Sequence, residues 1–127
     1  MKLLLDTHVL FWWFGDSSKI SGQALSLIED TTNQIHCSAA TAWELAIKSG
    51  IGKLDALPLA LDLPQLLKDE GFLELPIGIP EATRAGLLPL HHRDPFDRLI
   101  VAQAQHLNIP VLSSDRLLDL YDVKRIW

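Results

Sequence analysis

The amino-acid sequence predicts an α/β fold built on a mainly parallel sheet. Short apolar runs typical of strands alternate along the chain with longer stretches that carry helix signals, and this alternation is typical of βα units. The 127 residues are 48% hydrophobic and 21% charged, which is the composition of an ordinary globular protein. A chain of this length can bury one sizeable core, so we expect a single domain over residues 1–127.

Five segments have strand-like composition and seven have helix-like patterns. The predicted strands are residues 2–6, 35–37, 72–75, 111–113 and 123–126. The predicted helices are residues 7–14, 22–31, 39–49, 80–87 and 95–107, with shorter helices at about 64–70 and at 116–120. Residues 51–61 are predicted to form mainly a loop, with Pro64 near the start of the short helix that follows.

Helix boundaries are predicted from the residues at the helix ends. Ser21 and Ser38 can accept hydrogen bonds from first-turn amides, as N-cap residues do, and Gly15 and Gly71 are placed to end helices. The clearest start is Asp94-Pro95-Phe96-Asp97, because Asp is a good N-cap, Pro is favoured at the first helical position and an acid is favoured at the third.

Four acidic residues stand beside or within apolar segments: Asp6, Glu44, Asp97 and Asp115. Asp6 and Asp115 end predicted strands, and doubly wound sheets bind ligands beyond the carboxyl ends of their strands. We expect Glu44 and Asp97 in the first turns of helices that follow, or pack beside, those strands. Because closely packed carboxylates repel one another unless cations lie between them, the pattern predicts a metal site.

Each acidic residue also has a purely structural explanation. Asp6 and Asp115 could cap a helix or a turn, and Asp97 would be favoured by the helix dipole. Glu44 could pair with Lys48 four residues later, an interaction that contributes only about 0.3–0.5 kcal/mol. These explanations suffice one at a time, but they do not account for four acids at neighbouring ends of elements.

Net charge and cysteine content limit the classes of protein that fit. The eleven Lys and Arg against sixteen Asp and Glu give a net charge of −5, the wrong sign for holding nucleic acid by charge alone, although metal binding at the acidic cluster would offset it. Cys37 is the only cysteine, so no internal disulfide can form. No apolar segment approaches the roughly 20 residues of a membrane span, and we expect a cytoplasmic protein.

Four segments, taken in order, carry the most specific pattern in the chain. They are Leu3-Leu4-Leu5-Asp6-Thr7-His8, SAATAWELAIK at residues 38–48, HRDPFDRLIVAQA at residues 92–104, and Leu112-Ser113-Ser114-Asp115. Each segment alone is weakly specific, but together they extend over almost the whole chain. In this order they resemble the PIN-domain family and, within it, the VapC-type toxins of bacterial toxin–antitoxin pairs.

The resemblance implies a three-layer α/β/α sandwich with four to five strands, and an activity that cleaves RNA with a divalent metal. By resemblance, Asp6, Glu44, Asp97 and Asp115 are the catalytic, metal-binding acids of the family in chain order. Mg²⁺ is the implied cofactor, and Mn²⁺ would suit the same oxygen ligands. The implied partners are an RNA substrate and a cognate antitoxin protein, and the toxin is expected to be a homodimer.

Further residues are expected to support or extend the site. Thr7 and Ser113 would help to hold the carboxylates, and Asp94 lies at the same helix start as Asp97. Arg98 and Arg116 each directly follow a proposed ligand, so we predict that they position RNA phosphates.

Aromatic and histidine residues give weaker signals. The run Phe11-Trp12-Trp13-Phe14 can contribute to the core, but Trp and Phe are also enriched at interfaces, and we expect this run to contact an antitoxin or a second copy of the chain. The five histidines lack a zinc-binding spacing such as H-E-x-x-H, so we expect them to be structural or on the surface.

Two other classes of function stay open from the sequence. A different magnesium phosphohydrolase could use a parallel sheet, but a haloacid-dehalogenase-type phosphatase needs Asp-x-Asp after the first strand, and here Thr7 and His8 follow Asp6. A receiver would need paired acids at the same place. A non-catalytic module of the PIN fold that binds RNA or protein would keep the acids without turnover.

Overall fold

The computed structural model describes residues 1–127 and contains five β-strands and six α-helices. The strands are β1 (Lys2–Leu5), β2 (Gln34–Ser38), β3 (Leu73–Leu75), β4 (Val111–Leu112) and β5 (Arg125–Ile126). The helices are α1 (Thr7–Phe14), α2 (Gly22–Glu29), α3 (Ala39–Gly50), α4 (Leu57–Glu70), α5 (Ile79–Leu87) and α6 (Pro95–Leu107). Short 3₁₀ helices span Ser17–Lys19 and Arg116–Leu120.

All five strands pair in parallel, in the order β3-β2-β1-β4-β5. In the central strand β1, Leu4 is aligned with His36 of β2 on one side and with Val111 of β4 on the other. Leu3, Leu4 and Leu5 have no solvent exposure. A continuous apolar run is what a parallel strand needs when both faces of its sheet are covered.

Helices cover both faces of the sheet. Leu3 and Leu5 belong to a buried cluster that also takes in residues of α1, α2, α3 and α4. The side chain of Leu4 points to the opposite face, as alternation along a strand requires, and it packs in a second cluster with Ile100, Val101 and other residues of α6. The predicted α/β/α sandwich with a parallel sheet is therefore confirmed, with five strands.

The strand order places a crevice beside the carboxyl end of β1. The chain runs from β1 to β2 on one side, whereas β4 pairs on the other side, so the direction of winding changes between β1 and β4. Asp6 follows β1, and its backbone amide donates to the carbonyl of Leu112 in β4 at 3.1 Å. Asp115 lies three residues beyond β4. Such a switch point is where open α/β sheets bind ligands.

The predicted loop over residues 51–61 is confirmed for residues 51–56 but wrong beyond them, because α4 begins at Leu57 and continues through Pro64 to Glu70. Pro58 lies in the first turn, where a missing N–H removes no intrahelical hydrogen bond. Leu63 and Leu67, one turn apart, are buried against the core, and this packing holds the helix together past Pro64. Gly71 ends the helix, as predicted, in the left-handed conformation at φ 74°.

Two smaller differences concern helix positions. α2 ends at Glu29, two residues earlier than predicted, because the Asp30 carboxylate accepts a hydrogen bond from the Thr32 amide at 2.9 Å and forms a turn. Glu44 is the sixth residue of α3 and so lies in its second turn instead of the first. None of the six helices is long and apolar enough to cross a membrane.

Candidate active site

A cavity of about 590 Å³ opens at the carboxyl ends of β1 and β4. The structure brings the four sequence-predicted acids into its wall, and Asp94 joins them. The remaining lining residues are Thr7, His8, Phe11, Lys48, Lys53 and Leu54. The cavity therefore carries five carboxyl groups against two lysines, which makes it an attractive place for a cation.

Asp6 is held in one orientation by its neighbours. It is 3% exposed and caps α1, with Oδ1 accepting from the Thr7 amide at 2.8 Å. Its Oδ2 accepts from the Ser113 hydroxyl at 2.6 Å, and the same hydroxyl oxygen accepts from the Asp115 amide at 3.0 Å. Ser113 thus links the two acids that follow β1 and β4. The Thr7 hydroxyl bonds to that of Thr41 at 3.0 Å, which ties α1 to α3.

Asp115 is held by a buried histidine. Its Oδ2 lies 2.7 Å from Nε2 of His92, which is 6% exposed, and its Oδ1 accepts from the Leu117 amide at 3.0 Å. Nδ1 of His92 lies 3.1 Å from the Tyr121 hydroxyl. Burial acts to raise the pKa of Asp115, but the hydrogen bonds from His92 and Leu117 outweigh it and hold the pKa below the ordinary value of 3.8. Asp115 therefore stays ionised at neutral pH.

His8 presents a proton to the cavity. Its Nε2 accepts a hydrogen bond from the Ser114 amide at 3.2 Å, and a ring nitrogen that accepts carries no hydrogen. The proton of the neutral ring is therefore on Nδ1, which lies 3.4 Å from Oδ2 of Asp6. The ring also packs edge-on against Trp12, with centroids 4.8 Å apart, so its orientation is fixed from both sides.

Glu44 and Asp94 share the ammonium group of Lys48. Oε2 of Glu44 contacts Nζ of Lys48 directly, and Oδ2 of Asp94 lies 3.5 Å from the same nitrogen. Asp94 also caps α6, where its Oδ1 accepts from the Phe96 amide at 2.9 Å. The i,i+4 pair considered for Glu44 from sequence is thus present, but the other oxygen of Glu44, Oε1, is buried without a hydrogen-bond partner.

Asp97 is the acid most strongly perturbed by its surroundings. Burial, followed by the charges of Asp6, Asp94 and Glu44, raises the pKa of Asp97 from 3.8 to about 7. The shift means that a proton, or another cation, is needed near this carboxylate to offset its neighbours. Clustered carboxyl groups with separated pKa values are common at functional sites.

The donor set fits a hard divalent ion. No group of three His, Cys, Asp or Glu side chains is arranged so that it could hold a metal ion with the side chains as they stand. The carboxylates contact Lys48, His92 and Ser113 instead. However, the unpartnered Oε1 of Glu44 and the raised pKa of Asp97 both mark places where a cation would be stabilising. Carboxylate oxygens are the ligands that Mg²⁺ and Mn²⁺ prefer.

The prediction for Arg98 requires correction. Arg98 is 8% exposed, and its guanidinium group donates to backbone carbonyls of the segment before α6. These acceptors are the carbonyls of Gly86, Leu88, Pro89 and His92. The side chain therefore holds the loop that presents His92 and is not free to bind a phosphate. Arg116 is exposed, and a role in positioning RNA stays a prediction for that residue.

Sequence reasoning missed His8 and His92 as neighbours of the acids. Neither has the regular spacing of a chelating pair, and their contacts to Ser114 and Asp115 join positions far apart in sequence. The available signal was their location inside the segments that carry the family resemblance.

The aromatic run at the end of α1 is half-buried. Trp13 and Phe14 lie 5.9 and 6.4 Å from Phe72 between ring centroids, and all four side chains of the run pack against the larger core cluster. Much of the run therefore serves the core, and its contact with another chain stays a prediction.

The fold and the site define a class of protein: parallel α/β sandwiches with an acidic cavity at the switch point of the sheet. Similarity to known proteins agrees with this class. Residues 3–124 match the PIN domain, so the chain belongs to the PIN domain family. It is also similar to Ribonuclease VapC22 of Mycobacterium tuberculosis (strain ATCC 25618 / H37Rv), with 28% identity over 119 residues, 91% of this chain and 88% of the relative.

Solved structures support the fold. The chain is similar to VapBC2 from Rickettsia felis bound to a DNA fragment from their promoter, with a TM-score of 0.70 and 14% identity over 99% of this chain and 98% of the other. It is also similar to VapBC-5 from Mycobacterium tuberculosis, a member of the VapBC family of toxin–antitoxin systems, with a TM-score of 0.60, 21% identity, and coverage of 98% and 97%.

Proposed function

We propose that this protein is a divalent-metal-dependent endoribonuclease that acts as the toxin of a VapBC-type toxin–antitoxin pair. The observation that carries the proposal is the acidic cavity at the carboxyl ends of β1 and β4, where Asp6, Glu44, Asp97 and Asp115 meet. The family match over residues 3–124 and the similarity to a protein named as a ribonuclease support the same activity. We also propose that residues 1–127 form one functional unit.

In this proposal all four acids help to bind the metal ion. Asp6 and Asp97 would be the main ligands, Glu44 would contribute its unpartnered Oε1, and Asp115 would supply a further carboxylate oxygen. A bound Mg²⁺ or Mn²⁺ would activate a water molecule and offset the negative charge of the scissile phosphate. Thr7 and Ser113 orient Asp6 through the hydrogen bonds they donate, and His92 orients Asp115.

Several side chains can act on the substrate. The Nδ1–H group of His8 faces the cavity beside Asp6, where it can donate to an oxygen of the bound phosphodiester. Lys53 lines the cavity without any ion pair, and Arg116 lies exposed next to Asp115. These groups place positive charges and hydrogen-bond donors at the rim of the acidic cavity. Groups of this kind are needed to position RNA phosphates.

The proposed partners are RNA, a cognate antitoxin and a second copy of the chain in a cytoplasmic homodimer. The similarity to VapBC-5, a member of a family of toxin–antitoxin systems, supports the antitoxin. The antitoxin surface would lie on the helices between Trp43 and Glu70, where large apolar side chains are exposed to solvent. These are Trp43, Ile47, Ile51, Leu57 and Leu61. Exposed apolar side chains close together are typical of protein interaction sites.

The proposal is tested by cleavage of end-labelled RNA with magnesium, with manganese and with chelator. Wild-type protein should cut only with metal, and Asp97→Asn should lower the cleavage rate by at least about 100-fold because it removes a charged ligand. Asp122→Asn is the matched control, since Asp122 is an exposed acid outside the cavity. Equal cleavage by Asp97→Asn and wild type would contradict the assignment, and tight partner binding without cleavage of any RNA would favour a non-catalytic module.

A further inference from the structure

Lys48 occupies an unusual place for a lysine. It projects from α3 toward the acidic cavity, where its side chain is 33% exposed, and its ammonium group contacts Glu44 of the same helix. It also lies 3.5 Å from Asp94, the residue that caps α6. A single positive charge thus joins two carboxylates from different helices across one side of the cavity.

This arrangement is more than an ordinary surface pair. Exposed i,i+4 pairs are weak because water screens both partners, whereas Glu44 is only 5% exposed. Its second oxygen, Oε1, is buried and has no partner. A buried carboxylate with one satisfied oxygen is under-coordinated, so Glu44 has a second oxygen that a cation would stabilise.

We propose that Lys48 is the internal counter-cation of the acidic cavity, and that a divalent ion loads by displacing its ammonium group from Glu44 and Asp94. The inference rests on the proposed metal-dependent function and deepens it by naming the group that competes with the metal. Lys48 is then a positioning residue that sets metal affinity and keeps the carboxylates in place before metal arrives.

Two consequences follow from charge alone. Removing the ammonium group frees two carboxylates and takes away one positive charge that repels the incoming ion, so metal should bind more tightly. Without metal, the same change leaves Glu44 buried and unpaired, which is costly, so the metal-free protein should be less stable. Replacing a surface lysine that did not contact these carboxylates would produce neither effect.

Lys53 gives a matched control. It lines the same cavity and carries the same charge, but it forms no ion pair with any of the carboxylates. Lys53→Met therefore removes the same formal charge from the cavity and leaves the contacts of Glu44 and Asp94 intact. Lys48→Arg keeps the charge and can keep both contacts, and should restore the behaviour of the wild-type protein.

The experiment is calorimetric titration of magnesium or manganese chloride into the protein without RNA. Lys48→Met should raise metal affinity by about tenfold or more, while Lys53→Met should change it by less than about threefold. The difference is expected because the Lys48 charge contacts the carboxylates directly, whereas the Lys53 charge is farther from them. In chelator, Lys48→Met should unfold at a lower temperature than Lys53→Met. Equal affinities for these two variants would overturn the inference and leave the proposed nuclease intact.

A measurement on the unmutated protein covers the case in which Lys48→Met does not fold. In protein labelled with ¹³C at lysine Cε, metal should shift the Lys48 signal strongly and the Lys53 signal little, because only Lys48 changes partners. Metal binding that leaves the Lys48 signal in place would overturn the inference. If no metal binds at all, the inference and the metal-dependent part of the proposed function both fail.

Discussion

Asp115 owes its orientation to a chain of polar groups inside the protein. The Tyr121 hydroxyl accepts from the His92 amide at 3.0 Å and lies 3.1 Å from Nδ1 of the His92 ring. Because the ionised Asp115 carboxylate can only accept, Nε2 of His92 carries a hydrogen and donates it to Asp115. The rings of His92 and Tyr121 are also stacked, with centroids 5.5 Å apart. Partners of this kind fix how a carboxylate presents its free lone pairs to a metal.

We therefore expect His92→Phe to lower cleavage by about 10- to 100-fold, the usual effect of losing a partner that orients a ligand. Cleavage assays at saturating metal would measure the loss, and circular dichroism would show that the fold is kept. His91→Phe is the control, because His91 is the exposed neighbour. Full activity in His92→Phe would show that Asp115 needs no help from this ring.

The raised pKa of Asp97 has a consequence for stability without metal. A carboxyl group whose pKa rises from 3.8 to about 7 on folding holds its proton more tightly in the folded state, so stability falls as pH increases through that window. The Asp97→Asn variant has no carboxyl group at this position, so it does not lose stability in this way as the pH rises. In chelator, its unfolding midpoint should exceed that of wild type by roughly a few °C at pH near 8, and the gain should shrink toward pH near 4.

Thermal unfolding across this pH range measures the effect, with Asp122→Asn as the variant that should follow the wild-type curve. A gain from Asp97→Asn that did not change with pH would indicate that repulsion among the carboxylates is not its cause.

Single residues also show what the sequence could and could not predict about the site. Asp6 and Asp115 were predictable because each follows an apolar strand, and parallel strands end at one edge. The buried position of Arg98 was not, because its four carbonyl acceptors lie at the end of α5 and in the irregular loop after it, whose path no local pattern describes. The contacts of His8 and His92 likewise depend on how distant segments pack.

At the scale of elements, capping signals were more informative than proline alone. Ser21, Ser38 and Asp94 each cap the helix predicted to follow, because the hydrogen bond that defines an N-cap is local. In α4 the proline at position 64 suggested a boundary, but burial of Leu63 and Leu67 outweighs the lost hydrogen bond. Local propensity was thus overridden by packing that involves residues far away in the chain.

The end of α4 gives a prediction about stability. Gly71 has φ 74°, a conformation that costs a residue with a side chain about 1 kcal/mol or more, so Gly71→Ala should destabilise the protein by that amount. Gly86→Ala is the contrasting variant, since Gly86 lies in α5 with nothing near its missing Cβ, and it should be neutral or stabilising by up to about 1 kcal/mol. Denaturant unfolding would measure both, and equal effects would contradict the role given to Gly71.

For the whole molecule, the strand order was harder to predict than the fold class. The alternation of elements indicated a parallel sheet, but it did not say on which side of β1 each later strand would pair. That choice depends on which faces of the helices are apolar and how they pack against Leu3, Leu4 and Leu5. It matters because the placement of β4 beside β1 brings Asp115 to Asp6.

Metal should stabilise the whole molecule, because the cavity joins β1, α3, α6 and the segment after β4. An ion at 100 times its dissociation constant adds about 2.7 kcal/mol to the stability of the folded state, and we expect the unfolding midpoint to rise by several °C. Differential scanning calorimetry with magnesium, against sodium chloride at equal ionic strength, measures the rise. The absence of any rise would contradict a cation site in this cavity.

The central position of β1 also governs when the protein can become active during synthesis. Asp6 and Ser113, which bond directly, are 107 residues apart in sequence, and β1 gains its second neighbour only when β4 has been made. A nascent chain that has not yet reached β4 and Asp115 therefore has its first acid but lacks the strand and the last acid that complete the cavity. The proposed nuclease site is therefore assembled only after residues 111–115 have been made, so a shorter copy lacks the groups needed to attack RNA in the complex that is producing it.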